Sequence, residues 1–465
     1  MTVATYMRQC LTNPEGGYYI TSPTPFGSRG DFVTSPEISQ MFGELVGIWI
    51  LSEWMNQGMK PECTIVEFGP GKGTLMDDAL RALSKFKNFL GAAKSVHLVE
   101  ASPALREVQR EKLCGSTKME TVDGAAWSCK SKYGPTIYWH EHIKELPEAL
   151  PSPFIVAHEF FDALPIHSFE RTKQGWREFL VDTIAARASP MARPSELPHN
   201  PMLISSTKPK DADPVFHLTL SPKQTPHSTT LPHLSPRTSS LPELSRVEIS
   251  PDTLSIIHQL ALRTAAHGGA QLIVDYGPAE TVPVDTLRGI RAHKIVSPWV
   301  DPGKADLSAD VDFGAIKHAA KEASGEVEVH GPVEQGDWLH ALGIGARAQA
   351  LWSAQRDEPG KKRVMSAYER LTGKGLKSMG KIYKVMAVGP KGGKTPVGFG
   401  GSVPRLNPSC PSPSPDLPNN ISGAVSWRTF RVKGIDFSSN ECPHSPFTPP
   451  ASEYHTIAIS IETPS

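Results

Sequence analysis

The residues with the clearest capacity for chemistry lie in a glycine-rich stretch, TIVEFGPGKGTLMDD, at positions 64–78. This stretch places an acid at Glu67 and then glycines at alternate positions, Gly69, Gly71 and Gly73. Glycine lets the backbone turn tightly and approach a ligand closely, because it has no side chain. The helix expected to follow offers free N–H groups to a carboxylate. The stretch therefore predicts a loop that holds a small molecule.

Two familiar nucleotide-binding loops do not fit this spacing. A phosphate loop of the form G-x-x-x-x-G-K-[ST] needs Ser or Thr after its lysine, but Gly73 follows Lys72. A dinucleotide loop of the form G-x-G-x-x-G needs its third glycine where Thr74 stands. The first mismatch disfavours a nucleoside triphosphatase. The second leaves a nicotinamide-dependent oxidoreductase as a weak alternative.

The spacing E-x-G-x-G-x-G instead suits S-adenosyl-L-methionine, which has an amino-acid end, a ribose and an adenine but no pyrophosphate. An acid at the end of the next strand would suit the ribose, and Glu100 in HLVEASP holds that position. Taken alone, the loop is equally well an ordinary turn between a strand and a helix, because short glycine motifs often occur by chance. The loop and Glu100 together favour the cofactor.

Five short apolar segments indicate the elements that must position these residues. Each segment is followed by a helical or loop stretch, a pattern typical of buried parallel strands. The segments are TIVEFG (64–69), SVHLVEA (95–101), TIYWH (136–140), FIVAHEF (154–160) and AQLIVDYG (270–277). We predict an α/β fold with an open, doubly wound sheet, whose ligand crevice lies at the carboxyl ends of the strands.

Composition limits the partners that this chain can have. Lys plus Arg equals Asp plus Glu at 48 each, so we expect no nucleic-acid partner. No apolar run reaches the ~20 residues that span a bilayer, so we expect no membrane insertion. The six cysteines form no C-x-x-C pair, and no group of His, Asp and Glu has metal-ligand spacing in the sequence. The prediction is therefore that no metal is bound, and the sequence indicates no oligomeric state.

Longer motifs resemble a known family. The stretches GGYYITSPTPFGSRGDFVTSPEISQMFGELVGIW, VEFGPGKGTL, HEFFDALP, VDYG and VDFGAIKHAA are similar to those of the MidA family of mitochondrial and bacterial methyltransferases. The resemblance implies a class I methyltransferase (Rossmann-like) fold and S-adenosyl-L-methionine as cofactor. It also implies symmetric dimethylation of an arginine in a core subunit of respiratory complex I, needed for assembly of that complex. The implied location is the mitochondrial matrix, although the first ten residues show no presequence.

The stretch AHEFFDALP, residues 157–165, supplies candidate catalytic residues. Glu159 lies at the end of the fourth apolar segment and Asp162 follows it, where the crevice of such a sheet is expected. A guanidinium stays charged at neutral pH, so its site needs carboxylates to pair with it and to orient one nitrogen. The alternative is that both acids cap the next helix. We place His158, where the family pattern has asparagine, behind them as a supporting residue.

Two weaker candidates concern the cofactor, and one concerns the substrate. Glu141, after TIYWH, is a candidate for the adenine amine, or equally a solvated acid. Arg29 in PFGSRGDF is a candidate for the cofactor carboxylate, or equally part of a mobile surface loop. Asp275 in VDYG ends a strand on the substrate side, but ordinary turn chemistry explains it equally well.

The pattern predicts five parts: a helical lid or cap segment (1–60), the cofactor-binding half of the methyltransferase domain (61–185), a Pro- and Ser-rich insertion around one strand (186–245), the C-terminal half of the domain (246–390) and a disordered tail (391–465). The predicted activity is protein arginine N-methylation by S-adenosyl-L-methionine. The alternative from another class is a catalytically inactive, methyltransferase-like scaffold that chaperones a complex I subunit.

Overall fold

The computed structural model describes residues 1–21, 33–122, 126–183, 216–375 and 378–401. The chain forms two compact units. The first unit comprises Met1–Phe32, Asp162–Thr253 and Thr281–Asp312, and the second comprises Val33–Phe161, Leu254–Glu280 and Phe313–Ser465.

The described strands, in chain order, are β1 (Cys63–Phe68), β2 (Ala93–Val99), β3 (Glu120–Val122), β4 (Ala126–Lys130), β5 (Thr136–His140), β6 (Pro153–His158), β7 (His167–Thr172), β8 (Gly175–Thr183), β9 (Phe216–Leu220), β10 (Arg246–Ile249), β11 (Ala270–Tyr276), β12 (Arg288–Arg291), β13 (Lys294–Val296), β14 (Asp306–Ser308), β15 (Val327–Glu334) and β16 (Tyr383–Pro390).

The described α-helices are α1 (Val3–Thr12), α2 (Tyr18–Thr21), α3 (Ser35–Ile38), α4 (Gln40–Asn56), α5 (Thr74–Leu83), α6 (Lys87–Ala92), α7 (Pro103–Cys114), α8 (Pro226–Thr230), α9 (Pro236–Ser239), α10 (Pro251–His267), α11 (Phe313–Ala323), α12 (Gln335–Ala341), α13 (Ile344–Ser353), α14 (Glu358–Thr372) and α15 (Met379–Ile382). Single 3₁₀ turns lie at Ile143–Glu145, Phe161–Ala163 and Leu231–His233. Among the described residues, no helix is both long and apolar enough to cross a membrane.

The second unit is built on a nine-stranded sheet in the order β15–β16–β11–β6–β1–β2–β5–β4–β3. Strands β5, β2, β1, β6 and β11 run parallel, whereas β16 runs antiparallel to both β11 and β15. The chain order reverses at β1, because β2 lies on one side of it and β6 on the other. In open α/β sheets, ligands bind at such a switch point, beyond the carboxyl ends of the strands. The predicted α/β fold class is confirmed.

All five apolar segments of the sequence form strands of this sheet, namely β1, β2, β5, β6 and β11. Every residue of β1, β6 and β11 is buried, which explains why these segments are apolar without alternation. Helix α4 is apolar on all sides and packs against α5, where Gly43 and Gly47 allow close approach. A Cβ at Gly47 would lie 2.9 Å from the carbonyl oxygen of Ala79.

The first unit has two smaller sheets, in the orders β10–β7–β8–β9 and β13–β12–β14. Its largest described core joins helix α1 to strands of both sheets through Tyr6, Met7, Val181 and Leu307. Helix α1 begins at a cap in which the Thr2 side chain accepts a hydrogen bond from the backbone N–H of Thr5.

Two predicted segments contain more structure than their composition indicates. Residues 216–245, the described part of the predicted insertion, form β9, α8, α9 and a 3₁₀ turn, because prolines occupy the first helical position of α8 and of α9. Residues 391–401 open the predicted tail, yet Val397 is fully buried in the core of the second unit. Residues 184–215 and 402–465 lie outside the described residues. The five-part division itself stays a prediction.

Candidate cofactor and substrate site

The glycine loop connects β1 to α5 at the switch point of the sheet. Gly69, Gly71 and Gly73 have φ values of 60°, 54° and 74°, in the left-handed region that favours glycine. The N–H of Gly69 donates to the carbonyl oxygen of Val99 at 3.0 Å, which ties the loop to the end of β2. Helix α5 begins directly after Gly73, so its free N–H groups lie at the loop.

Side chains pack tightly around this loop. A Cβ at Gly69 would lie 3.0 Å from Cδ2 of Phe160, and one at Gly73 would lie 3.4 Å from Cγ of Gln109. The loop is therefore held between the residues after β6 on one side and helix α7 on the other. Backbone, rather than side chain, forms the surface that a ligand would meet here.

Two buried carboxyl groups end neighbouring strands beside the loop. Glu67, in β1, is 2% exposed, and burial, with a smaller contribution from the Glu100 carboxylate, raises the pKa of Glu67 to about 8. Burial also raises the pKa of Glu100 to about 7, against the opposing effect of its hydrogen bond from the N–H of Ser102. Oε2 of Glu67 has no hydrogen-bond partner among the described residues. Burial of these two carboxyl groups therefore costs free energy when no ligand is bound.

Gln109 connects the loop to Glu100, and sequence reasoning missed it. Its Nε2 donates to the carbonyl oxygen of Gly71 at 2.7 Å and to Oε2 of Glu100 at 3.2 Å. Its Oε1 accepts a hydrogen bond from the indole N–H of Trp139 at 2.9 Å. Gln109 is fully buried, and the sequence shows it only as a polar residue on the apolar face of α7.

These features fit S-adenosyl-L-methionine. A buried acid with an orphan oxygen and the free N–H groups of a helix lie at one glycine loop, where a Cβ at Gly69 or Gly73 would press on a neighbouring side chain. Glu100 presents a second buried carboxyl group at the adjacent strand end, a suitable acceptor for ribose hydroxyls. Glu67, Gly69, Gly71, Gly73 and Glu100 are thus brought together as predicted from their spacing.

The two weaker cofactor candidates have different outcomes. The side chain of Glu141 is 60% exposed, and its carboxylate lies 3.8 Å from Nη2 of the buried Arg106. The Arg106 guanidinium stacks over the Trp127 ring at 4.3 Å, so it holds a fixed position near Glu141. Glu141 is therefore an exposed acid beside a buried cation, and its contact with adenine stays a prediction. Arg29 lies outside the described residues.

Glu159 follows β6 in a strained backbone conformation. Its φ is 49°, in the left-handed region that is rare for residues other than glycine, and its N–H donates to the carbonyl oxygen of Val274 at 2.9 Å. The side chain is 3% exposed; its Oε1 accepts from the N–H of Ser35 at 3.3 Å and lies 3.2 Å from Nε2 of His158. Burial lowers the pKa of His158 to about 3, so this imidazole is neutral.

The Asp275 side chain accepts hydrogen bonds from two backbone N–H groups. Its Oδ2 accepts from the N–H of Phe161 at 3.0 Å, and its Oδ1 accepts from the N–H of Tyr276 at 2.9 Å. The side chain has no exposed surface, so the carboxylate fixes the turn after β6 by holding its backbone. This geometry favours the turn interpretation of VDYG over a contact with substrate.

Asp162, the second candidate catalytic acid, opens the second stretch of the first unit, Asp162–Thr253. It is 7% exposed and lies in the 3₁₀ turn Phe161–Ala163, which begins two residues after Glu159. Its carbonyl oxygen accepts a hydrogen bond from the N–H of Ala309 at 2.9 Å. A joint catalytic role for Asp162 and Glu159 stays a prediction.

The strand order and the glycine loop with its buried acids define a class of protein, the S-adenosyl-L-methionine-dependent methyltransferases. A family model described as methyltransferases of this kind matches residues 45–333. The chain belongs to this family, and its relatives include the mitochondrial protein arginine methyltransferase NDUFAF7 of Xenopus tropicalis, with 38% identity over 84% of this chain and 83% of that protein. The corresponding human protein is 36% identical, over 84% of this chain and 80% of its own length.

Solved structures agree on the fold. A crystal structure from Burkholderia thailandensis, bound to S-adenosyl-homocysteine, has a TM-score of 0.61 and 23% identity and covers 87% of this chain and 89% of its own. A second crystal structure from the same organism has a TM-score of 0.60 and 21% identity. The cofactor prediction is confirmed by the family, and the nicotinamide alternative finds no support in these matches.

Proposed function

We propose that this protein transfers methyl groups from S-adenosyl-L-methionine to an arginine side chain of a protein. The relatives described as mitochondrial protein arginine methyltransferases support this proposal at 36–38% identity. The finer statement follows the family resemblance: symmetric dimethylation of an arginine in a core subunit of complex I, in the mitochondrial matrix, as a step in assembly of that complex.

One observation of this structure carries the proposal, the buried carboxylate of Glu159 held in a left-handed conformation directly after β6. Backbone strain of this kind costs roughly 1–3 kcal/mol and persists where the surrounding structure imposes it, commonly at functional sites. A carboxylate is also the side chain that pairs with a guanidinium.

When bound, S-adenosyl-L-methionine supplies an electrophilic methyl group on its sulfonium. The glycine loop, Glu67 and Glu100 would hold its amino-acid and ribose parts. The hydrogen bonds from Gln109 to the loop and to Glu100 would fix the positions of both. Glu159 would pair with the guanidinium in a site from which water is largely excluded, where an ion pair is stronger than in solvent. Holding the reacting nitrogen within attack distance supplies most of the acceleration.

Proton release follows from the charge on the substrate. A guanidinium nitrogen that gains a methyl group must lose a proton, since arginine remains a monocation. Glu159 and Asp162 would offset the substrate charge, and one of these carboxylates would accept the released proton and pass it to solvent. The neutral imidazole of His158 lies 3.2 Å from Oε1 of Glu159, but its Nε2 forms no hydrogen bond with the described residues, so its supporting role stays a prediction.

The test is mass spectrometry of candidate complex I subunits incubated with the full chain and S-adenosyl-L-methionine carrying a deuterated methyl group. We expect labelled dimethylarginine at one position of one subunit, and no label when that arginine is replaced by lysine. Cofactor binding without labelled product on any arginine would contradict the proposal and leave the non-catalytic scaffold. Fragment ions distinguish symmetric from asymmetric dimethylation.

A further inference from the structure

The first unit contains a cluster of potential metal ligands that the sequence spacing does not show. His167 of β7, Glu178 of β8 and His227 of α8 each offer one ligand atom, and these atoms all lie within 4.8 Å of one another. Pairing of β7 with β8 places Glu178 opposite Phe169, so His167, two residues before Phe169, shares its face of the sheet. The fold thus assembles two imidazoles and a carboxylate from three separate elements.

The distances within this cluster are short. Nδ1 of His167 lies 2.7 Å from Oε1 of Glu178, and Nδ1 of His227 lies 3.4 Å from Oε2. The two imidazole rings lie 4.3 Å apart between centroids. Each carboxylate oxygen of Glu178 therefore lies near one imidazole nitrogen. Small movements of the side chains would let all three groups face one ion.

Burial gives this cluster a closed side and an open side. The Glu178 side chain has no exposed surface and that of His167 is 9% exposed, whereas the side chain of His227 is 46% exposed. An ion would reach the carboxylate past His227, and solvent would complete its coordination. Three protein ligands with one open position is a common arrangement for zinc, and His₂Glu is one of its known ligand sets.

A supporting residue strengthens the case. The Thr225 hydroxyl, at the N-cap of α8, donates a hydrogen bond to Oε2 of Glu178. The hydroxyl of Ser221 accepts from the N–H of Glu178 at 3.1 Å, which fixes the strand position of the acid. Hydrogen bonds that orient a ligating carboxylate are typical of metal sites.

We propose that His167, Glu178 and His227 form a zinc-binding site in the first unit. A bound ion would join the β7–β8 hairpin to α8, two parts of the chain separated by residues outside the described ranges. This site stands independently of the proposed methyl transfer.

Zinc titration calorimetry on the untagged, chelator-treated full chain tests the proposal. We expect one ion per chain and a higher melting temperature in the presence of zinc, because an ion that binds only the folded state stabilises it. His227→Ala removes an exposed ligand with little risk to folding, and it should weaken zinc affinity by roughly 100-fold or more, since even supporting residues are worth about 10- to 100-fold. His233→Ala, at an exposed histidine nearby, is the matched control and should leave the affinity unchanged.

Two further measurements separate a built site from zinc on surface histidines. Cobalt should give the visible absorption of a four-coordinate ion in the parent chain but not in His227→Ala. Thr225→Val, which removes the supporting hydroxyl together with the N-cap of α8, should weaken zinc affinity by about 10-fold or more. Binding of equal strength in the parent and in His227→Ala, or no stoichiometric binding at all, would overturn the proposal.

Discussion

Glu67 and Glu100 end adjacent strands of the central sheet, and burial raises the pKa of both carboxyl groups, to about 8 and about 7. Both groups are stabilised by solvent in the unfolded chain, so the folded chain carries them at a cost until a ligand offers hydrogen-bond donors. A site that destabilises the ligand-free protein is expected where residues were selected for function rather than for stability.

The first prediction concerns the stability of the cofactor-free protein. Between the ordinary pKa of 4.5 and the folded value of about 8, the folded state binds more protons at Glu67 than the unfolded state does. The free energy of unfolding therefore falls as pH rises from about 5 to about 8, by up to about 1.4 kcal/mol per pH unit for one group. Glu67→Gln should reduce the difference in melting temperature between pH 6 and pH 8. Glu62→Gln, at an exposed position just before β1, should leave that difference unchanged, and an equal effect of both variants would contradict the assignment.

The second prediction concerns the glycine loop. Gly71→Val should abolish binding of S-adenosyl-homocysteine in calorimetry, because a β-branched residue resists a φ of 54° and its side chain would occupy the ligand-facing surface. Gly115→Val is the matched control, because Gly115 also has a left-handed φ, 65°, but has open space around it. This variant therefore introduces the same backbone strain without contacting the glycine loop. Unchanged affinity in Gly71→Val would remove this glycine from the cofactor contact.

At this scale the sequence identified residues that belong to motifs. The three glycines, Glu67 and Glu100 were predictable because alternation and strand ends constrain them. Gln109 was not, since its three hydrogen bonds connect groups that are distant in sequence. The left-handed φ of Glu159 was also invisible, because backbone strain is imposed by tertiary contacts rather than by residue type.

Among the elements, α4 is apolar on all sides and buries two acids, Glu44 and Glu53. Nε of Arg347, on α13, donates to Oε2 of Glu44 at 2.6 Å, and Nη2 donates to Oε1 at 2.9 Å. Arg81 of α5 reaches the same carboxylate from a more exposed position. Three helices are thus joined through one buried carboxylate.

The third prediction tests this junction. Arg347→Ala should lower the free energy of unfolding by about 3 kcal/mol, because it leaves a buried carboxylate with only one cationic partner. Urea unfolding followed by circular dichroism measures the change. Arg8→Ala breaks an ion pair with Asp252 in which both side chains are about half exposed, and it should cost less than about 1 kcal/mol. Similar losses in the two variants would contradict the role given to the buried pair.

The fourth prediction concerns the Pro-rich stretch. Strands β8 and β9 pair directly at Thr183 and Phe216, so the chain between them joins two neighbouring strand ends. Removing residues 190–213 leaves enough chain to close that hairpin, and a stretch with so many prolines contributes little apolar burial. The melting temperature should therefore stay nearly unchanged. A large decrease would show that the deleted residues pack on the first unit.

Element prediction succeeded where the pattern was continuous and failed where composition was mixed. Strands β1, β6 and β11 are fully buried, so their apolar runs were clear. The elements of residues 226–239 were missed because short helices that begin at prolines resemble loop sequence. Val397 was missed for a similar reason, since one buried residue among glycines and lysines forms no periodic pattern.

For the whole molecule, the family and the cofactor are established, and the proposed substrate depends chiefly on Glu159. The open, doubly wound core of the central sheet was predictable, because strands that alternate with helices follow few connection rules. The antiparallel strands at its two edges were not predicted. The division into two compact units was not, since the first unit is assembled from three stretches of chain that alternate with the second.

The most direct test of the account is single-turnover methyl transfer by Glu159→Gln to the unmethylated complex I subunit that accepts the label in the test above. Cofactor affinity and melting temperature are measured on the same preparation. Gln keeps the shape of the side chain but removes its charge, a loss of about 2–4 kcal/mol in the transition state, so the rate should fall roughly 30- to 1,000-fold. Cofactor affinity should survive, and Glu148→Gln, at an exposed position before β6, should transfer methyl groups normally. A normal rate in Glu159→Gln with lowered stability would contradict the central claim.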